Sequence, residues 1–182
     1  MMDEQLAARV REIVERVLRE QGAALAPSAA DALTVALGAD HGGFALKRVL
    51  LQTLVARGYR VLDCGTFSAD PVDYPDLAYA VAKLVGAGAA WRGILIDGAG
   101  IGSAMAANKV PGARAANCNA VNMARNAREH NDANILTLGA KMTDEATALE
   151  IVHIFLTTEC VEPRHQKRVA KIMEIERRYL RK

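Results

Sequence analysis

The hydrophobic pattern of the chain changes character near residue 33. Before it, "DEQLAARVREIVERVLRE" (3–20) sets Leu6, Val10, Ile13, Val14, Val17 and Leu18 on one stripe at helical spacing, with charges on the other face. This predicts an amphipathic helix of about five turns over residues 1–20. The stretch "QGAALAPSAAD" that follows is small, Ala-rich and punctuated by Gly22 and Pro27. It reads as a linker, 21–32, so the helix is expected to be tethered to the body and not built into it.

From residue 33 to 182 the pattern alternates. Short β-branched or apolar runs predict strands at 33–38, 59–65, 92–98, 113–118 and 133–139. Between and after them, amphipathic runs predict helices at 43–58, 76–88, from 102 onward, 120–132, 143–157 and 163–180. Five strands alternating with helices imply βαβ units, hence a mostly parallel sheet with helices on both faces. Such sheets bind ligands at the carboxyl ends of their strands. There the sequence sets Asp40-His41, Gly65-Thr66, Asp97-Gly98, Cys118-Asn119 and Gly139 to Lys141. No internal repeat is visible.

Composition narrows the function. Lys and Arg number 23 against 21 Asp and Glu, a formal charge of +2. That balance argues against a nucleic-acid partner, which would call for a broad basic excess. No apolar run approaches the roughly 20 residues of a membrane span, and the charged start lacks the apolar centre of an export signal. The three cysteines, Cys64, Cys118 and Cys160, are far apart and form no CxxC. They fit reduced thiols in a cytoplasmic protein, with neither a disulfide framework nor a zinc site.

The richest stretch for chemistry is "ILIDGAGIGSAMAANK", 94–109. Gly98, Gly100 and Gly102 give GxGxG, not GxGxxG, and no GK[ST] follows, which speaks against a dinucleotide or P-loop site. Two readings remain: a backbone nest for an oxyanion or phosphate at a helix start, or a tight strand-to-helix turn. Asp97 likewise is either a cap for the next helix or a general base. His41 and His130 stand beside polar residues at element ends, where functional and structural roles weigh evenly, while His153 reads as packing. In "PRHQKR", Arg164 and Arg168 lie four apart on one face, suited to a phosphate clamp or to a solvated surface.

Taken together, "GADHGGFALK", "DYPD", the glycine loop running into "AANKVPGARA", "REHNDAN" and "RHQKRV" occur in an order that resembles the B-type ribose-5-phosphate isomerases. That family includes galactose-6-phosphate isomerase subunits, and the resemblance spans about residues 34–178. It implies a three-layer, Rossmann-like α/β/α sandwich and a metal-free, cofactor-free aldose–ketose isomerase of phosphorylated sugars. It also implies a homodimer, or a dimer of dimers, with sites at the subunit interface. By the same resemblance Asp40 and His41 bind the sugar and its phosphate end, and Tyr74 lines the pocket. His130 opens the furanose ring. Asn131 and the amides around Gly98, Gly100 and Gly102 stabilise an enediolate, and Arg164 and Arg168 grip the phosphate with Lys141. Moving a proton between C1 and C2 needs one base and preorganised donors.

The chain departs from that family at its base. Many members carry a catalytic cysteine at the position of Asp97, with Thr or Ser at that of Ala99; others use a Glu at that of Ser103. This leaves Asp97 as the leading base. Against a thiol, its lower basicity costs about 200-fold at a Brønsted slope of about one half, and its full ionisation returns about 30-fold, a net deficit of about tenfold. The alternative is a catalytically silent sugar-phosphate-binding or scaffold relative in which Asp97 only caps. Residues 3–20 resemble the encapsulation peptides of bacterial microcompartments, which implies a shell or cargo partner in a compartment lumen; the other reading packs the helix within its own dimer.

Overall fold

The computed structural model describes residues 2–20 and 34–180; the linker read at 21–32 lies outside the described residues. Among the described residues seven helices and five strands alternate: α1 (Met2–Glu20), β1 (Thr34–Ala39), α2 (Phe44–Ala56), β2 (Arg60–Asp63), α3 (Tyr74–Gly86) and β3 (Arg92–Asp97). Then follow α4 (Ile101–Ala107), β4 (Ala115–Asn117), α5 (Val121–Asn131), β5 (Ile135–Gly139), α6 (Glu145–Thr157) and α7 (Pro163–Leu180). All five strands pair in parallel in the order β2-β1-β3-β5-β4. The predicted parallel sheet is therefore present, each element within a few residues of its expected place.

Strand alternation divides the core in two. Val35 and Leu37 of β1, Ile94 and Ile96 of β3, and Leu136 and Leu138 of β5 point to one face, where Leu50 of α2, Ala124 of α5 and Phe155 of α6 cover them. Ala36, Leu95 and Ile135 point to the other face, under Leu77, Ala78 and Val81 of α3 and Ala107 of α4. Strands buried on both faces explain why their sequences are apolar runs without polar alternation. The result is the three-layer α/β/α sandwich.

Helix α1 is docked on this body. Val10, Ile13 and Val17 are buried in the same cluster as Leu77 and Val81 of α3. The stripe was legible in the sequence, but its partner was not. The structure thus corrects the expectation of a merely tethered helix, because an apolar stripe this close to α3 is more stable covered than wet. His153 is a second correction. Assigned to packing, it sits exposed on α6, whose core face is carried by Ile151, Val152 and Phe155. No helix among the described residues is long and apolar enough to cross a membrane.

Candidate active site

Strand β1 lies between β2 and β3, so the chain leaves β1 for opposite sides of the sheet: a topological switch point. The loops after β1 and β3 flank that crevice. Asp40, at the end of β1, accepts the Gly43 N–H at 3.0 Å and so shapes the turn into α2. His41 is exposed, and its Nδ1 accepts the Val72 N–H at 3.3 Å. This ties the β1 loop to the segment that delivers Tyr74 at the start of α3. From the other side, the Ala140 and Lys141 amides bond the carbonyls of Asp97 and Gly98 at 2.8 and 3.1 Å. The Lys141 stem lies over Gly98.

Two glycines of the loop are dictated by their surroundings. Gly100 has φ of +79°, and a Cβ there would lie 2.0 Å from Asn117 Nδ2. At Gly102 a Cβ would meet the Tyr74 ring at 2.6 Å, so the aromatic ring packs directly on bare backbone. Thr137, fully buried on β5, donates to the Gly100 carbonyl at 2.7 Å, and Asn117 Nδ2 donates to the Ala99 carbonyl at 3.2 Å. These two supports were not identified from the sequence. Their only signal was a polar residue interrupting an apolar strand run.

Asp97 is buried, at 5% exposure, and its carboxylate lies in the nest formed by its own loop. Oδ1 accepts the amides of Ala99, at 2.8 Å, and Gly100; Oδ2 accepts that of Ser103 at 3.0 Å. Burial pushes the carboxyl up, but the Ser103 hydroxyl and the Gly100, Ser103 and Ala99 amides outweigh it and hold it below the usual carboxylate value. The Gly100 amide, expected to face substrate, faces Asp97 instead, because the strand-end carboxylate is already in reach. The Ile101 and Gly102 amides, at the start of α4, have no acceptor among the described residues. No thiol can replace the carboxylate. Burial drives Cys64 up to about 12 and Cys118 up to about 11, so both are neutral near pH 7.

His130, Arg164 and Arg168 make no hydrogen bond to the Asp97 loop among the described residues, and Asn131 lines a cleft with Asn117 and Cys118. In a parallel α/β sheet a helix starts at the carboxyl end of one strand and returns to the amino end of the next. His130 and Asn131 close α5, which hands the chain to the start of β5; that start pairs with Gly93, four residue steps or about 13 Å along β3 from Asp97. The His130 ring meets the buried His165 ring edge-on at 4.1 Å, and His165 Nδ1 pairs with the Glu129 carbonyl at 3.0 Å. This contact brings the exposed Arg164 and Arg168 of α7 beside the same corner. Asp132, left-handed at φ 45°, ends α5 and bridges Arg128 at 2.7 Å and Arg114 at 2.9 Å. Arg128 and Arg92, both buried, share Glu159. The candidates thus fall into two groups, one on the loops after β1, β3 and β5 and one where α5 meets α7.

Fold and site together define a class: an open parallel α/β protein whose switch point gathers an acid, a histidine, an aromatic ring and a cation around a backbone nest. The chain matches the Ribose/Galactose Isomerase family over residues 35–172, and it belongs to that family. It is 42% identical over 144 residues to ribose-5-phosphate isomerase B of Escherichia coli, covering 79% of this chain and 97% of the relative. Among solved structures it resembles ribose-5-phosphate isomerase B of Clostridium thermocellum, with a TM-score of 0.78 and 50% identity, covering 80% of this chain and 99% of that one. The Mycoplasma genitalium ribose-5-phosphate isomerase B, solved with bound ribulose 5-phosphate, has a TM-score of 0.77 at 36% identity, covering 79% and 96%.

Proposed function

We propose that the protein interconverts the aldose and ketose forms of a phosphorylated sugar, ribose 5-phosphate and ribulose 5-phosphate or a related aldose phosphate, through an enediolate. The observation that carries this reading is Asp97: an ionised, buried carboxylate at the end of β3, in a loop flanked by Tyr74 on Gly102 and Lys141 over Gly98. Both thiols at that end are neutral. Asp97 takes the proton from C2 of the aldose, and the C–H electron pair moves to leave charge on the C1 oxygen. Return of a proton to C1, with transfer of the O2 proton to O1, completes the ketose. The amides of Gly98, Ile101 and Gly102 are donors open to the developing oxyanion.

The working unit is a homodimer. One protomer supplies Asp40, His41, Tyr74, Asp97 and Lys141; the partner subunit's His130, Asn131, Arg164 and Arg168 supply ring opening and the phosphate grip. A two-fold axis that brings one half-site onto the other makes two equal sites. Exposed Ile101, Met105 and Met142 beside the nest, and Ile172 and Ile175 on α7, are the apolar surface such contact would cover.

The hydrogen bonds around Asp97 favour a second reading, a sugar-phosphate-binding relative in which the carboxylate is only a cap. Coupled assays over a panel of aldose phosphates, with calorimetry on the wild type and Asp97→Asn, separate the two. Turnover by the wild type that is lost in Asp97→Asn supports the isomerase. Binding without turnover in both supports the second reading. Residues 3–20 would reach a shell or cargo protein only by giving up the Val10, Ile13 and Val17 contact with α3, so the role favoured for them is intramolecular.

A further inference from the structure

The irregular segment 64–73, between β2 and α3, carries the chain into the crevice. Its far end supplies the Val72 N–H that His41 Nδ1 accepts, and it leads directly into Tyr74. Its near end is fastened to the sheet, where the Cys64 and Thr66 amides bond the carbonyls of Leu37 and Ala39, each at 2.8 Å. Between these anchors stands Phe67, 56% exposed, on a stretch whose local bonds run between Ser68 and Asp70.

Helix α1 bears on this segment from outside. The Arg16 guanidinium lies 4.7 Å from the Phe67 ring centroid, and the Lys47 ammonium lies 4.9 Å from it. Lys47, itself buried, is fixed by a pair with the half-buried Asp63 at 2.5 Å, so one cation is set by the sheet layer and the other by α1. Seven residues earlier, Arg9 Nε lies 3.4 Å from Asp76 Oδ2, two residues past Tyr74 in the first turn of α3. A cleft of about 290 Å³ lies between α1 and the segment, walled by Arg9, Ile13, Arg16, Phe67, Val72 and Leu77. The stripe of Val10, Ile13 and Val17 holds the helix in the register that aims both arginines.

We infer that α1 is a clamp on the substrate loop: Arg16, through Phe67, and Arg9, through Asp76, are positioning residues for His41 and Tyr74. Neither arginine touches the reacting atoms. Cation–ring and ion-pair contacts at a partly wet surface are weak singly, but they act on the one segment that joins both pocket residues. The kinetic consequence rests on the isomerase reading above. Loosening the loop weakens ground-state and transition-state binding alike, which raises KM and spares kcat.

The test uses the full chain with Arg9→Ala, Arg16→Ala, the double variant and Arg16→Lys. Hydrogen exchange of segment 66–74 is read first, because it needs no substrate. The clamp predicts faster exchange in Arg16→Ala and faster still in the double variant, with Arg16→Lys near the wild type. Against the aldose phosphate that the wild type turns over, KM should rise about three- to tenfold in the double variant, with kcat within about twofold. Unchanged exchange overturns the clamp, as does a fall in kcat at constant KM. If the wild type turns over no sugar phosphate, exchange alone decides, so the clamp and the isomerase reading fail separately.

Discussion

Asp97 Oδ2 accepts the backbone N–H of Ser103 at 3.0 Å, six residues on and inside the first turn of α4, and the Ser103 hydroxyl helps to hold the carboxyl below its ordinary value. With the Ala99 and Gly100 amides on Oδ1, three backbone donors engage three of about four lone-pair positions of the group. The amides are fixed by the backbone. Under the proposed mechanism, a proton arriving at Asp97 takes the remaining position, on the side of the Ser103 hydroxyl.

Ser103→Ala therefore raises turnover. It clears the side of the carboxylate that the hydroxyl borders and removes one of the influences holding its pKa down. At a Brønsted slope of about one half, each pKa unit regained is worth about threefold in kcat. Steady-state assays decide it, and an unchanged or lower kcat in a folded Ser103→Ala protein counts against Asp97 as base.

The same bonds make Asp97 a stability determinant with a defined pH window. Its folded pKa lies below the ordinary value of 3.8, so its contribution is fully present above that value and is lost as pH falls through the folded pKa. Asp97→Asn should cost about 1.5–3 kcal/mol at pH 7, the range for a hydrogen bond to a charged group. Urea unfolding of both proteins at pH 7 and pH 3 should show that difference shrinking at the acid end. A constant difference would mean that charge is not what holds the loop.

The two half-sites predict complementation. Asp97→Asn disables one group and Arg164→Ala/Arg168→Ala the other, so each homodimer is inactive. Random mixing gives about half heterodimers, each with one intact site of two, and hence about a quarter of wild-type activity. Co-expression with two tags measures this directly. No recovery in isolated heterodimers would place the whole site within one protomer.

Gly102 and Gly100 should fail in different ways. Gly102→Ala sets a Cβ 2.6 Å from the Tyr74 ring and displaces it, which should raise KM several-fold with little change in stability. Gly100→Ala meets both a φ of +79° and the Asn117 amide at 2.0 Å, and should destabilise by about 1–3 kcal/mol or more. Thermal unfolding alongside kinetics separates the two.

The strands were legible because burial on both faces makes them apolar runs closed by Gly or Asp, as at "RGILIDG". The separation of the two groups of candidates was legible in principle too, since His130 ends a helix and Asp97 ends a strand. Motif order alone hides this, because residues adjacent in function need not share an end of the sheet. The amphipathic stripe of α1 told which side chains would be buried but not under what, because periodicity carries no information about the partner. For Asp97 the sequence offered two readings, cap and base. Only coordinates could show that the cap is made, with its hydrogen bonds from Ala99, Gly100 and Ser103.

The most direct test of Asp97 as base follows the proton itself. In D2O, proton NMR of the aldose phosphate with catalytic protein reports exchange of the hydrogen at C2. The wild type should wash in deuterium, and Asp97→Asn, still binding the sugar by calorimetry, should slow this by about 10²–10⁴-fold, the range for losing a general base. Exchange by Asp97→Asn at the wild-type rate would contradict the account.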